Sequence, residues 1–200
     1  MESTTTPKLG DEFAEAMCYA AKLHATQTRK GGDIPYFGHL MSVSALVIEA
    51  GGSQTQAIAG LLHDAVEDQG GKPTLDEIES RFGSVVAKIV SECSDTDEIP
   101  KPPWRDRKER YIAHLRGASD DAVLVSLADK VDNARAILRD LRLHGDRLWQ
   151  RFNVRDPQQH LWYYRGLLEV FEERTDIWLV DELRHTVEQI AALAGPSVRT

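Results

Sequence analysis

The sequence predicts an all-α protein, a helical bundle of about eight to ten helices joined by short connections. Three observations predict it. Apolar residues recur at spacings of three and four along most of the chain, glycine and proline signals interrupt that pattern at helix-length intervals, and no window alternates apolar and polar residues long enough to make a strand. The 200 residues suit one domain rather than two. We place that domain at 11–200, after a loose polar arm over residues 1–10. A plain four-helix bundle is the competing layout, but the turn signals divide the chain too finely for it.

The first helix starts near Asp11, with Phe13, Ala16, Met17, Ala20 and Leu23 on one face, and stops before Arg29-Lys30-Gly31-Gly32. A second runs from roughly His39 to Ala50 and ends at Gly51-Gly52. Ser53 caps a third, through Ile58, Leu61 and Leu62 to about Val66. Thr74-Leu75-Asp76-Glu77 has the form of a capping box and opens a short helix to Phe82-Gly83, after which Ser84 starts another. Prolines 100, 102 and 103 precede a charged helix over Trp104–Leu115. The strongest period follows, in Leu124, Leu127, Val131, Ala134, Leu138 and Leu141, opened by Ser119 and stopped at His144-Gly145; it belongs at the centre of the bundle. One helix follows Asp156-Pro157 to about Arg174, and the last carries Val180, Leu183, Val187 and Ile190.

Composition narrows the function. Hydrophobic residues at 42%, charged residues at 28% and the lack of a long apolar run or an apolar leader predict a soluble cytoplasmic chain. Cys18 and Cys93 form neither a short-spaced metal pair nor a disulfide framework, which fits a reducing compartment. A formal charge of −8 argues against nucleic-acid and membrane partners and leaves a small molecule, whose own anionic groups would need a metal or a local cluster of cations. The oligomeric state is left open.

Two polar intrusions in apolar helices mark the candidate site. His63-Asp64, with Glu67 one turn on and Asp68 beside it, sits against Leu61 and Leu62, where burying an imidazole and carboxylates is costly unless something binds them. A metal with a neighbouring carboxylate to take a proton from water would repay that cost, and a frayed, solvated helix end is the plain alternative. Asp129 and Asn133 lie one turn apart on the central helix, off its apolar seam; Asp129 is a candidate ligand or the partner of a distant arginine, and Asn133 a candidate substrate contact. His39 completes a set of two imidazoles and two carboxylates that suits six-coordinate Mn²⁺ or Fe²⁺ better than a zinc site of the thiolate type. Arg29 and Lys30, on a glycine loop, offer a grip for phosphate. The basic helix Trp104–Leu115 and the run Trp162-Tyr163-Tyr164 either face this site or serve as solvated face and core, respectively.

The ordered series from Arg29 to His39 (RKGGDIPYFGH), then Leu61 to Asp68 (LLHDAVED), then Leu127 to Asn133 (LADKVDN), resembles the hydrolase domain of the RelA/SpoT alarmone enzymes within the HD phosphohydrolase superfamily. The stand-alone small alarmone hydrolases and the metazoan SpoT homologue are the nearest in pattern. The resemblance runs from about Phe13 to Arg142, and it implies an HD-domain fold and one Mn²⁺ held by His39, His63, Asp64 and Asp129. It further implies Glu67 and Asp68 as the pair that activates water, and Arg29, Lys30 and Asn133 as substrate contacts. The implied reaction is hydrolysis of the 3′-pyrophosphate of (p)ppGpp or a related nucleotide, to pyrophosphate and GDP or GTP. Ala136 and the Lys-Gly-Gly-Asp loop depart from the common pattern and bear on base recognition. The rival readings are action on ppApp, NADPH or another phosphoester, a nucleotide sensor without turnover, and a helical partner-binding protein.

Overall fold

In the computed structural model, which describes residues 9–95 and 100–195, the element with the strongest apolar period runs through the middle. The helices are α1 (Asp11–Leu23), α2 (Phe37–Glu49), α3 (Gln54–Leu62), α4 (Ala65–Gln69), α5 (Lys72–Cys93), α6 (Trp104–Leu115), α7 (Asp120–His144), α8 (Pro157–Arg174) and α9 (Trp178–Ala194), with a 3-10 segment (Gly145–Arg151) after α7. Among the described residues the one extended pairing is an isolated bridge between Thr28 and Pro35. The all-α expectation therefore holds. Of the arm expected over 1–10, residues 1–8 lie outside the described residues, as do Thr96 and Asp97 of the polar stretch after α5.

α7 is central because its middle is enclosed on every side, while Arg135, Arg139 and Leu143 toward its C-terminal end reach solvent. It packs against α2, α3, α5, α8, α9 and the 3-10 segment. Leu127 and Val131 are fully enclosed, each contributing about 1.5–3 kcal/mol of burial. Ser119 caps the helix by accepting from the Ala122 amide, and a helix so surrounded must also bury what lies off its apolar seam, including Asp129, only 6% exposed. α2 and α3 form an antiparallel pair whose closeness depends on Gly60, where a Cβ would come within 3.2 Å of the Ser44 backbone. That approach brings His63, at the end of α3, beside His39 on α2.

Two expectations fail locally. The third helix does not run on to Val66: α3 stops at Leu62, and α4 restarts at Ala65 with Asp64 as its N-cap residue. The reason is side-chain demand, since Asp64 is drawn to His63 and Tyr36. Thr74 does not open a capping box either. Pro73, which lacks an amide, is tolerated in the first turn, so α5 begins at Lys72, and Thr74 donates to the Gln69 carbonyl instead. The break expected at Gly83 is present, with φ 84° and ψ 164°.

Candidate active site and metal centre

His39, His63 and Asp129 come from α2, the end of α3 and the middle of α7, and their ligand atoms lie within 4.8 Å of one another. Asp64 joins them. Its Oδ2 lies 3.0 Å from His63 Nε2 and 3.6 Å from His39 Nε2, while Asp129 Oδ1 lies 3.2 Å from His39 Nε2 and 3.6 Å from His63 Nε2. The tautomers follow from the other ring nitrogens. His63 Nδ1 donates to the Gly60 carbonyl at 2.9 Å, and His39 Nδ1 donates to the Asp132 carboxylate at 2.6 Å. Both Nε2 atoms are buried without a hydrogen-bond partner and turn toward carboxylate oxygens. Lone pairs so arranged require a cation between them, either a proton or a metal, and a carboxylate behind a ligand histidine is the usual outer support of a metal site.

Burial opposes charge on these groups, yet they hold one another ionised. His39, pushed down by burial, is raised to about 9 by the carboxylates of Asp129, Asp132 and Asp64 around it. His63 is raised too, against burial, chiefly by Asp64. Asp64 is held low by His63 and His39, and Asp129 by Lys130 and the same imidazoles, again against burial. The arginine partner considered for Asp129 is absent from its contacts: Asp129 accepts from Lys130 and, at 2.5 Å, from Asn133.

Glu67 and Asp68 stand on α4 at the mouth of this cluster. Glu67 pairs with Lys101 at 2.7 Å. Asp68 accepts from Gln27 Nε2 at 2.7 Å, and the Gln27 carbonyl oxygen in turn faces His24 Nδ1 and Gln69 Nε2, which fix the amide's orientation. Burial and the nearby Asp64 raise the Asp68 carboxyl above its ordinary value. Sequence reasoning passed over Gln27 and His24, although their spacing of three before the basic loop is visible in the chain. Arg29 donates to Asn133 Oδ1 at 3.1 Å and to Asp132 at 3.3 Å, and Lys30 is exposed beside it. Gly31 has φ +76°, and a Cβ there would meet Arg151 at 2.5 Å, so the loop rests directly on the 3-10 segment.

These groups open on a cavity of about 400 Å³, within the usual size of a small-molecule site. Asp64, Glu67, Asp68 and Asp129 reach it, and the two histidines lie behind them. Its other wall is cationic and aromatic. Lys108 of α6, Lys130, Arg151, Tyr163 and Tyr164 all line it. The basic helix is thus split in use, because Lys108 faces the cavity while Arg105 stacks 3.1 Å over the Trp162 ring away from it.

A family model described as HD domain matches residues 16–158. The chain belongs to the HD domain family. Among HD-domain relatives, it is 34% identical over 177 residues to the Xenopus tropicalis guanosine-3′,5′-bis(diphosphate) 3′-pyrophosphohydrolase MESH1, covering 84% of this chain and 93% of that one. The Homo sapiens protein of the same name is 32% identical over 189 residues, with 90% and 97% covered. A solved structure, described as a metazoan orthologue of SpoT that hydrolyses ppGpp, superposes with a TM-score of 0.74 at 29% identity over 93% of this chain and 98% of that one. The HD domain accounts for a His/His/Asp group set where the family holds a divalent metal. Among the described residues no helix is long and apolar enough to cross a membrane.

Proposed function

We propose that this HD-domain protein hydrolyses the 3′-pyrophosphate of ppGpp-type nucleotides with one Mn²⁺. The observation that carries the reading is the pair of buried Nε2 atoms, without hydrogen-bond partners, facing two carboxylates beside a cavity that cationic side chains also line. Its relatives named as pyrophosphohydrolases cover nearly its whole length. His39, His63, Asp64 and Asp129 would hold the metal, and a nitrogen and oxygen donor set without thiolate favours Mn²⁺ over a zinc site of the thiolate type. When bound, that ion lowers the pKa of water and offsets phosphate charge.

The chain's own residues do the rest. Asp68, with its carboxyl already raised and its orientation fixed by Gln27, is placed to take the proton from the attacking water, with Glu67 beside it. Water oxygen bonds to the phosphorus next to the ribose, the bond from that phosphorus to the 3′-oxygen breaks, and the 3′-oxygen leaves with a proton. Arg29 and Lys30 present cations at the rim, and Asn133, already bonded to Arg29, contacts the ribose side of the substrate. The free thiols Cys18 and Cys93 support the cytoplasm as its compartment.

Pyrophosphate release from ppGpp, with Mn²⁺ and with chelator, tests this in the wild type and in Asp64→Ala. We expect metal-dependent turnover that the folded variant lacks. Preferred turnover of ppApp or NADPH would move the substrate and leave the chemistry; no turnover by metal-loaded, folded protein would sink the reading.

A further inference from the structure

The proposed reaction accounts for the acidic end of the cavity but leaves its inner wall without a task. Three observations meet there. Lys108 lines the cavity with its ammonium 4.9 Å from the Tyr163 ring, and it shares the Asp95 carboxylate with Arg107. Among the described residues one anion thus faces two cations. Lys130 lines the same wall, 5.0 Å from the Tyr111 ring, and touches Asp129, so the wall begins one carboxylate away from the imidazoles. The Tyr163 hydroxyl, on a side chain 6% exposed that also lines the cavity, has no hydrogen-bond partner.

A buried hydroxyl without a partner is costly, and a wall that pairs it with two partly enclosed ammonium groups is complementary to an oxyanion. We infer that Lys108, Lys130 and the Tyr163 hydroxyl form a subsite for the distal phosphoryl group of the substrate's pyrophosphate, the one that is never attacked. The inference rests on the proposed reaction for the identity of that group. It makes the wall the element that separates a pyrophosphate ester from a monophosphate ester, since a single phosphoryl group seated at the His/Asp cluster has nothing to place against Lys108 and Tyr163. The same contacts hold inorganic pyrophosphate as product.

The test compares ppGpp with the nucleotide that carries a single 3′-phosphate, in the wild type, Lys108→Met and Tyr163→Phe, alongside calorimetry of inorganic pyrophosphate and orthophosphate. Lys108→Met lowers kcat/KM on the pyrophosphate ester by about 10–100-fold, mainly through KM, as loss of a charged hydrogen bond implies. Tyr163→Phe, which removes only a hydroxyl and keeps the packing, lowers it by about 3–10-fold. The monophosphate ester loses less, so the preference between the two esters falls, and pyrophosphate binding weakens while orthophosphate binding holds. Equal losses on both esters, a loss in kcat alone, or an unchanged pyrophosphate preference in both variants would overturn the subsite. If the wild type turns over neither nucleotide, the proposed reaction fails. Calorimetry still decides the subsite: a pyrophosphate preference lost in Lys108→Met upholds it, and one retained refutes it.

Discussion

The two ends of the cavity are built on opposite principles. At one end, two imidazole nitrogens and two carboxylates lie within 3.0–3.6 Å, an arrangement satisfied only with a cation, proton or metal, between them. At the other, among the described residues donors outnumber carboxylates, with Arg107, Lys108 and Lys130 against Asp95 and an Asp129 that also faces the imidazoles. The difference teaches how one pocket is complementary in charge to a cation on one side and an anion on the other. Each end is incomplete in the sense that the other part of the reacting complex would satisfy.

The comparison breaks most completely with His63→Ala. If the acceptor end is the catalytic one, turnover falls by about 10³-fold or more, as when one member of a group acting as a unit is lost, while circular dichroism shows retained helix. Activity within tenfold of the wild type would place the chemistry elsewhere. Metal removal comes next. A divalent metal at a hundred times its dissociation constant would stabilise the fold by about 2.7 kcal/mol, which chelator removes, visible as about 5–10 °C in Tm.

The pH dependence of the metal-free protein sharpens this. His39 is held charged up to about 9, above its ordinary value, so its contribution to stability is complete below about pH 6.5 and is lost as pH rises through about 9. Thermal melts in chelator should therefore fall between those limits, whereas metal-loaded protein holds, because metal and proton compete for one nitrogen. A flat apo profile would count against the cluster's geometry. Asp132→Asn weakens the support behind His39 and should lower metal affinity by about 10–100-fold, read by metal titration. The smallest effect belongs far from the cavity: Ser119→Ala costs α7 its cap, about 1 kcal/mol, and leaves turnover unchanged.

The acceptor end was legible in the sequence because two of its stretches are polar interruptions of an apolar helix, and His39 completes the set. His63-Asp64 beside Leu61-Leu62 announces a buried charge, and Asp129 on the strongest helix announces another. The cationic wall was not legible. Four basic residues share the first turns of α6, and which of them faces the cavity depends on how that helix is rotated against α8, a tertiary fact. Tyr163 and Trp162 are neighbours in sequence and end up on different sides, one lining the cavity and one under Arg105. The 3-10 segment that carries Arg151 has no periodicity to read. At Asp64, side-chain demand overrode helical continuity, so the expected straight helix became α3 and α4.

The wide separation of these four groups along the chain also sets an order of assembly. Until α2, α3 and α7 have docked, the unfolded polypeptide offers only the adjacent His63 and Asp64, a poor trap for any ion. A metal held by all four groups would thus report that folding is complete. Without a divalent metal the chain would still fold, with protons on the same imidazole nitrogens holding the cluster together.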